Sequence, residues 1–143
     1  MSTTFKRILV GVDDSADALL AFKYAIGQAA QTDAELVIVS ILESDDMNVY
    51  QALSKDYVHG ERDDLKKHLL KYQKQAQAAG AKHVRSLIAE GEPGETIVKE
   101  VIPHLQPDLL IIGSIAKKGL ARRFGSQAAY MAKYSPISVL VIR

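Results

Sequence analysis

Two Gly-Ser pairs near the end of the chain have the residue types and the spacing of a phosphate-binding site. Gly113-Ser114 follows the apolar run Leu109–Ile112, and Gly125-Ser126 comes twelve residues later. The first pair is typical of a turn at the end of a buried strand, and the second is typical of the start of a helix. Together they predict free backbone N–H groups and a positive helix end around one small space, which suits a phosphate.

A basic segment lies between the two pairs and contains Lys117, Lys118, Arg122 and Arg123. Two interpretations stay open for it. The segment is a solvated surface, or it makes charge-assisted contacts to phosphates, for which the planar fork of arginine is best suited. The sequence does not indicate which of the four residues would contact a ligand.

An acidic turn follows the first apolar run, Phe5–Val12. Asp13 and Asp14 are either simple turn residues or carboxylates that face a ligand, the first interpretation being stronger for Asp14. Ser15 is a good N-cap, and Asp17 in the next turn complements the helix dipole, so a helix is predicted to begin here.

Composition excludes several classes of protein. The 143 residues fit one domain over 1–143, and a formal net charge of +1 argues against a dedicated nucleic-acid binder. The absence of cysteine excludes disulfides, thiolate catalysis and cysteine-held metals. No apolar run approaches the ~20 residues of a membrane span, so a cytoplasmic protein with no membrane partner is expected. Four scattered histidines lack metal-ligand spacing and are interpreted as surface residues.

Five apolar runs are predicted to be strands: Phe5–Val12, Glu35–Leu42, His83–Ala89, Leu109–Ile112 and Ile137–Ile142. Four helices are predicted between them. The first helix runs to about Thr32, with Leu19, Phe22, Ile26 and Ala29 facing inward. The second helix has Leu65, Leu69, Tyr72, Ala76 and Ala79 along one inward stripe. The third helix spans about Gly94 to Leu105 with Ile97 and Val101 facing inward, and the fourth starts near Gly125.

This alternation predicts an α/β fold with an open, doubly wound parallel sheet and helices on both faces. Ligands of such sheets bind beyond the carboxyl ends of the strands. Asp13, Ile41 to Glu43 and Gly113-Ser114 all lie at such ends and are expected to be neighbours. The long polar connection 43–56 follows the second strand, and Met47 or Tyr50 within it is a candidate lid.

Familiar phosphate motifs are missing. There is no GxxxxGK[ST] sequence, and the turn after the first strand has one glycine where a dinucleotide fingerprint needs three. A phosphoryl-accepting receiver domain would share the acidic pair. It also needs an aspartate after its third strand and a lysine after its fifth, and this chain has neither.

Four segments resemble the universal stress protein (UspA) family, and the similarity extends over the whole chain. They are Val10–Ser15, Glu90–Pro93, Gly113-Ser114-Ile115-Ala116 followed after eight residues by Gly125-Ser126, and the C-terminal Ser135–Arg143. The resemblance implies a flavodoxin-like strand order of 3-2-1-4-5 and a cytosolic, homodimeric, stress-associated regulator or sensor. It also implies that the ligand is ATP, with ADP and AMP as alternatives, accompanied by Mg²⁺ or another divalent cation.

Carried over by position, the resemblance implies two groups of binding residues. Those near the nucleoside are Gly11, Val12, Asp13, Ser40 and Ile41, with Asp13 accepting from the ribose and Ile41 offering main-chain contacts to adenine. Those near the phosphates are Gly113, Ser114, Ala116, Gly125, Ser126 and Gln127, with Arg122 and Arg123 as further candidates.

Two departures from the family signature bear on binding. Ala116 replaces the second glycine of a motif whose commoner spacer is nine residues, and Ile115 stands where many members have Arg or His. A non-ATP-binding interaction module is therefore one alternative. A slow ATPase or autokinase, with Ser114 or Ser126 as the acceptor, is another, although no set of catalytic groups emerges.

In the implied strand order, the fifth strand lies at a sheet edge. Ile137–Ile142 contains no charged residue, and a bare apolar edge is an aggregation hazard unless it is paired or covered. Pairing with a second copy about a two-fold axis resolves this, so a homodimer through this strand is predicted.

Overall fold

The computed structural model describes residues 4–13, 15–42, 55–114 and 125–143, with the backbone alone over 55–61. Its strands are β1 (Arg7–Gly11), β2 (Glu35–Leu42), β3 (His83–Glu90), β4 (Leu109–Gly113) and β5 (Ser138–Ile142). Its helices are α1 (Ala16–Thr32), α2 (Lys55–Ala78), α3, formed by the consecutive segments Pro93–Thr96, Ile97–Val101 and Ile102–Leu105, and α4 (Ser126–Tyr134).

The five strands form one parallel sheet in the order β3-β2-β1-β4-β5, which confirms the predicted fold. β1 lies at the centre, with Val10 paired to Ile38 of β2 on one side and to Ile111 of β4 on the other. The strand order reverses between β1 and β4. That crevice is where open α/β sheets bind their ligands.

Two apolar cores cover the two faces of the sheet. Helices α1 and α2 pack on the face that carries Ile8, Val10 and Ile111. Helices α3 and α4 pack on the face that carries Leu9 and Leu110, among others. Because alternate residues of one strand enter opposite cores, continuous apolar runs such as ELVIVSIL are required by a sheet covered on both sides.

The buried face of α1 differs from the prediction at Leu19. Phe22 and Ile26 are buried as expected, but the Leu19 side chain is 37% exposed. Ala18 is buried instead, and its backbone nitrogen lies so close to Gly113 of β4 that a Cβ on Gly113 would lie 2.6 Å from it. Ala29, the remaining residue of the predicted stripe, is buried as well, so the predicted stripe is correct except at Leu19.

Helices α2 and α3 differ from the prediction in detail. α2 already begins at Lys55, and Ala79, predicted to face inward, is exposed beyond its end. The middle of α3 is a π-helical turn, Ile97–Val101, in which Ile102 donates its N–H to the carbonyl of Ile97. Pro103 follows immediately. Since proline has no N–H and clashes with the carbonyl four residues back, a widened turn before it accommodates the ring.

The turn from β3 into α3 fixes where the helix begins. Gly91 has a φ of 135°, and its N–H donates to the carbonyl of Leu42 at 3.1 Å. Pro93 then occupies the first turn of α3, where its missing N–H costs nothing. Among the helices in the described part of the chain, none is long and apolar enough to cross a membrane.

Candidate functional site

A cavity of about 240 Å³ lies at the carboxyl ends of β1, β2 and β4. The residues that line it are Gly11, Val12, Asp13, Ser15, Ala18, Val39, Ile41, Pro93, Ile97, Ile112, Gly113, Ser126, Gln127, Ala128 and Met131. Residues distant in sequence therefore meet at the edge where the strand order reverses, as the sequence predicts for Asp13, Ile41 and Gly113.

The end of β1 is held by hydrogen bonds to β2 and to the start of α1. Val12 donates its N–H to the carbonyl of Val39 at 2.9 Å and accepts the hydroxyl of Ser40 on its own carbonyl at 2.7 Å. Asp13 Oδ1 accepts the N–H of Ser15 at 2.7 Å, which tightens the turn. Both polar backbone groups of Val12 and the buried Ser40 hydroxyl are thus engaged within the protein.

Ile41 presents its backbone toward the cavity. The carbonyl of Val39 accepts from Val12 on the β1 side, whereas that of Leu42 accepts from Gly91 on the β3 side. Because backbone groups of successive residues point to opposite neighbours in a parallel sheet, the N–H and C=O of Ile41 face the β1 side. β1 has already ended at Gly11, which pairs with Val39. Among the described residues, β1 therefore offers no strand partner to this donor and this acceptor.

Gly113 allows α1 to contact the end of β4 directly. A Cβ on Gly113 would lie 2.6 Å from the Ala18 nitrogen and 2.7 Å from the carbonyl carbon of Asp17. These distances are shorter than real Cβ contacts, so glycine is needed here for packing. Gly113 also lines the cavity. Packing against α1 therefore explains why this position is glycine, whether or not Gly113 contacts a ligand.

Ser114 joins the two Gly-Ser pairs but faces away from the cavity. Its carbonyl accepts the N–H of Gly125 at 2.7 Å, and its N–H donates to the carbonyl of Ile142 at 3.0 Å. Its buried hydroxyl donates to Asp17 Oδ2 at 2.7 Å. All three of its polar groups have protein partners, so a role of Ser114 as a phosphate contact or as a phosphoacceptor stays a prediction and would require one of these hydrogen bonds to break.

Helix α4 begins at the cavity without a capping side chain. Gly125 is its N-cap residue, with φ −67° and ψ 151°, and makes no side-chain cap hydrogen bond. Ser126 and Gln127 follow and line the cavity. The Gln127 side chain also accepts the N–H of Gly94 at 2.8 Å, which links the start of α4 to that of α3. Among the described residues, no side chain caps the first N–H groups of α4, whose partial positive charge suits an anion.

The apolar walls of the cavity are the part that the sequence-based site prediction missed. Pro93 and Ile97 come from α3, and Met131 comes from α4. Ile97 was predicted to face inward, but the pattern alone does not distinguish core from cavity wall. Several predicted site residues and neighbours lie outside the described residues: Asp14, Met47, Tyr50, Ile115, Ala116, Lys117, Lys118, Arg122 and Arg123.

Among the described residues that line the cavity, charged side chains are few. Asp13 is the acidic residue among those that line it, and no group of three histidine or acidic side chains within the described ranges could hold a metal ion. The structure therefore offers a ligand apolar walls, backbone donors and one carboxylate. Apolar walls with a small number of polar groups are typical of sites that bind small organic molecules.

The chain matches the model of the universal stress protein family over residues 4–143. A universal stress protein of Staphylococcus aureus strain USA300 is 30% identical over 141 residues, which cover 98% of this chain and 85% of that protein. The solved structure of UspA from Lactobacillus plantarum superimposes with a TM-score of 0.87 at 24% identity, covering 99% of this chain and 100% of the other.

Three further solved structures of this fold are described with bound nucleotides. One universal stress protein is in complex with cAMP (TM-score 0.73, 25% identity, 99% and 98% coverage). The protein from Archaeoglobus fulgidus is in complex with dAMP (0.70, 19%, 99% and 100%), and an Arabidopsis thaliana family protein has AMP bound (0.64, 17%, 96% and 90%). On the family match and the relative's identity, the chain belongs to the universal stress protein family.

Proposed function

We propose that the chain binds an adenine nucleotide, with ATP as the ligand, and acts as a cytoplasmic regulator or sensor in the stress response over residues 1–143. The observation that carries the proposal is the cavity itself. It combines apolar walls, the outward backbone of Ile41 and the uncapped start of α4 at the edge of the sheet where the strand order reverses. Three relatives of the same fold hold cAMP, dAMP or AMP.

Adenine fits the part of the cavity beside β2. Its amino group can donate to the carbonyl of Ile41 while its ring nitrogen accepts the Ile41 N–H, the same donor and acceptor pair that a neighbouring strand would use. Ile97 and Met131 supply apolar contacts, and the thioether of methionine suits the face or edge of an aromatic ring. Guanine carries the opposite pattern on this edge, so the proposal includes a preference for adenine.

Asp13 is proposed to hold the ribose. One carboxylate oxygen, Oδ1, accepts the N–H of Ser15 at 2.7 Å. The turn thereby fixes the side chain and leaves Oδ2 to accept from a sugar hydroxyl. Asp13 is exposed at the cavity mouth, which suits a ribose because its hydroxyl groups stay in contact with water.

The phosphates are proposed to lie at the start of α4. Backbone N–H groups there carry a partial positive charge, and Gly125 brings no side chain between them and a ligand. Ser126 adds a hydroxyl. Arg122 and Arg123, which lie outside the described residues, remain candidates for further phosphate contacts. A divalent cation such as Mg²⁺ would enter with the triphosphate.

Binding without efficient turnover is the proposed chemistry. Hydrolysis needs a positioned base and charge stabilisers at the γ-phosphate, and Asp13, the acidic residue among the described residues that line the cavity, is proposed to hold the ribose. Of the two serines considered as acceptors of a phosphoryl group, Ser126 lines the cavity, whereas Ser114 is turned toward Asp17. Absence of radiolabel transfer from γ-labelled ATP would remove the autokinase alternative.

A homodimer through β5 is also part of the proposal. β5 is an edge strand of the sheet, and its residues Val139 to Ile142 are half-buried within one chain. Tyr134, 54% exposed, lies just before this strand at the end of α4. Light scattering at micromolar concentration is expected to give twice the mass of one chain; the mass of a single chain would contradict the dimer.

The test of the binding site is the variant Gly125→Val, studied by calorimetric titration with ATP, ADP, AMP, cAMP and GTP. The conformation of Gly125 is one that valine adopts readily, so the variant is expected to fold. Its branched side chain would stand among the first N–H groups of α4. We expect wild-type protein to prefer adenine nucleotides and the variant to lose most of the affinity for ATP. A folded variant with unchanged affinity would contradict this site.

A further inference from the structure

Asp17 and Ser114 form a buried polar pair directly behind the cavity. The Ser114 hydroxyl donates to Asp17 Oδ2 at 2.7 Å, and the two residues are 1% and 8% exposed. Neither residue lines the cavity. Burial of a carboxylate is unfavourable unless hydrogen bonds replace water, so a pair of apolar residues would be the simpler way to fill this space.

Backbone hydrogen bonds of Ser114 connect the end of β4 to the start of α4 and to β5. Its carbonyl accepts from Gly125 at 2.7 Å, and its N–H donates to Ile142 of β5 at 3.0 Å. Gly125 is the residue from which α4 starts toward the cavity. Any rotation of the Ser114 peptide would therefore move the start of α4, where the phosphates are proposed to bind.

Asp17 is well placed to prevent that rotation. It lies in the first turn of α1, where the helix dipole favours a negative charge. The backbone of α1 is itself fixed against β4, since a Cβ on Gly113 would come within 2.6 Å of the Ala18 nitrogen. A charge-assisted hydrogen bond from this rigid position defines one orientation of Ser114, which apolar packing would not do.

We propose that Asp17 is a positioning residue for nucleotide binding: through Ser114 it orients Gly125 and the start of α4 toward the phosphates. The inference rests on the function proposed above. It predicts that loss of the pair weakens the contacts to phosphate while the contacts to adenosine, made by Ile41 and Asp13, remain.

The experiment compares wild type with Asp17→Ala, Ser114→Ala and the double variant, together with the conservative Asp17→Asn and Ser114→Thr. Asp63→Ala, an exposed acidic residue on α2, is the matched control. Dissociation constants for ATP are measured by calorimetry, and those for adenosine by ligand-observed NMR so that weak binding is registered. All measurements are made at a temperature at which each variant is folded by circular dichroism.

We expect Asp17→Ala and Ser114→Ala each to weaken ATP binding by about tenfold, the scale of one hydrogen bond to a charged group. The double variant should lose no more than either single one, because both remove the same interaction. Asp17→Asn and Ser114→Thr, which keep a hydrogen-bonding pair, should lie nearer to wild type. Adenosine affinity should not change in any variant.

The alternative is a purely structural role, and it gives different results. In that case the variants have a lower melting temperature but bind ATP as tightly as wild type when folded, or their affinities for ATP and adenosine fall by the same factor. Either result overturns the inference. If wild-type protein binds ATP and the alanine variants bind it equally well, only this inference fails. If wild-type protein binds no adenine nucleotide, the proposed function fails as well.

Discussion

Replacing Gly113 by alanine should destabilise the fold far more than replacing Gly11 by alanine. Both glycines lie at the carboxyl ends of adjacent strands, both line the cavity, and neither has a positive φ. They differ in what a methyl group would meet. At Gly11 the nearest atoms are side-chain methyl carbons at 3.7 and 3.8 Å, whereas at Gly113 they are backbone atoms of α1 at 2.6 and 2.7 Å.

The size of the effect follows from these distances. To restore an ordinary contact of 3.4 Å at Gly113, α1 would have to retreat by about 0.8 Å, and the helix packs on the sheet along its whole length. Overpacking of this kind costs about 1–3 kcal/mol. Because the obstacle is backbone, we expect about 3 kcal/mol for Gly113→Ala and less than about 1 kcal/mol for Gly11→Ala. For a chain of this size, that corresponds to a fall in melting temperature of about 10 °C against about 3 °C.

Urea unfolding followed by circular dichroism measures both variants in the absence of nucleotide, so that ligand binding does not contribute. Equal losses of unfolding free energy in the two variants would refute the close approach of α1 to β4. Such a result would also mean that Gly113 is required only by a ligand.

Other expected outcomes are independent of this one. Gly91→Ala places a side chain at φ 135° and should lower the free energy of unfolding, measured in urea, by about 2 kcal/mol. Gly27 lies in α1 with open space around it, so Gly27→Ala should raise the free energy of unfolding by about 0.5–1 kcal/mol. The hydrogen bond from Lys99 to Glu95 raises the pKa of Lys99 above its ordinary value, so Glu95→Gln should lower that pKa in an NMR titration. Since the folded-state pKa is the higher one, this pair favours the folded state at neutral pH and stops doing so as pH rises through that pKa. Asp13→Ala should weaken ATP binding by about tenfold in calorimetry and, because Asp13 also accepts the N–H of Ser15, should lower the free energy of unfolding by about 1 kcal/mol; undiminished affinity would remove Asp13 from the site.

The sheet was predictable because most of its strands are nearly continuous apolar runs bounded by polar residues; β3, with Arg85 and Ser86 in its middle, is the exception. Some observed strand ends lie one or two residues away from the predicted ends, at positions with local hydrogen bonds. The predicted strand from Phe5 becomes β1 from Arg7, and the backbone N–H groups of Lys6 and Arg7 both donate to the carboxylate of Asp108 at its start. Likewise β5 begins at Ser138 because the Ile137 N–H turns back to the Ser135 hydroxyl.

The site was predictable in outline, because parallel strands bring their carboxyl ends together. Its finer roles depend on contacts between residues that sequence patterns treat as unrelated. The Ser114 hydroxyl donates to the carboxylate of Asp17, 97 positions away in the sequence, and no periodic pattern indicates such a pair. The close contact between Ala18 and Gly113 joins α1 to β4, and a helical pattern read within α1 alone does not include such a contact.

Thermal unfolding of nucleotide-free protein with and without about 1 mM Mg-ATP tests the central claim most directly. A site with a Kd near 10 μM would add roughly 2.7 kcal/mol at a hundredfold excess of ligand, which corresponds to a rise in melting temperature of about 5–10 °C. The account predicts a rise of that size for ATP, a smaller one for AMP, and a rise for ATP of less than about 2 °C in Gly125→Val. No shift with any adenine nucleotide, in protein shown by mass spectrometry to be empty, would contradict nucleotide binding and favour an interaction module.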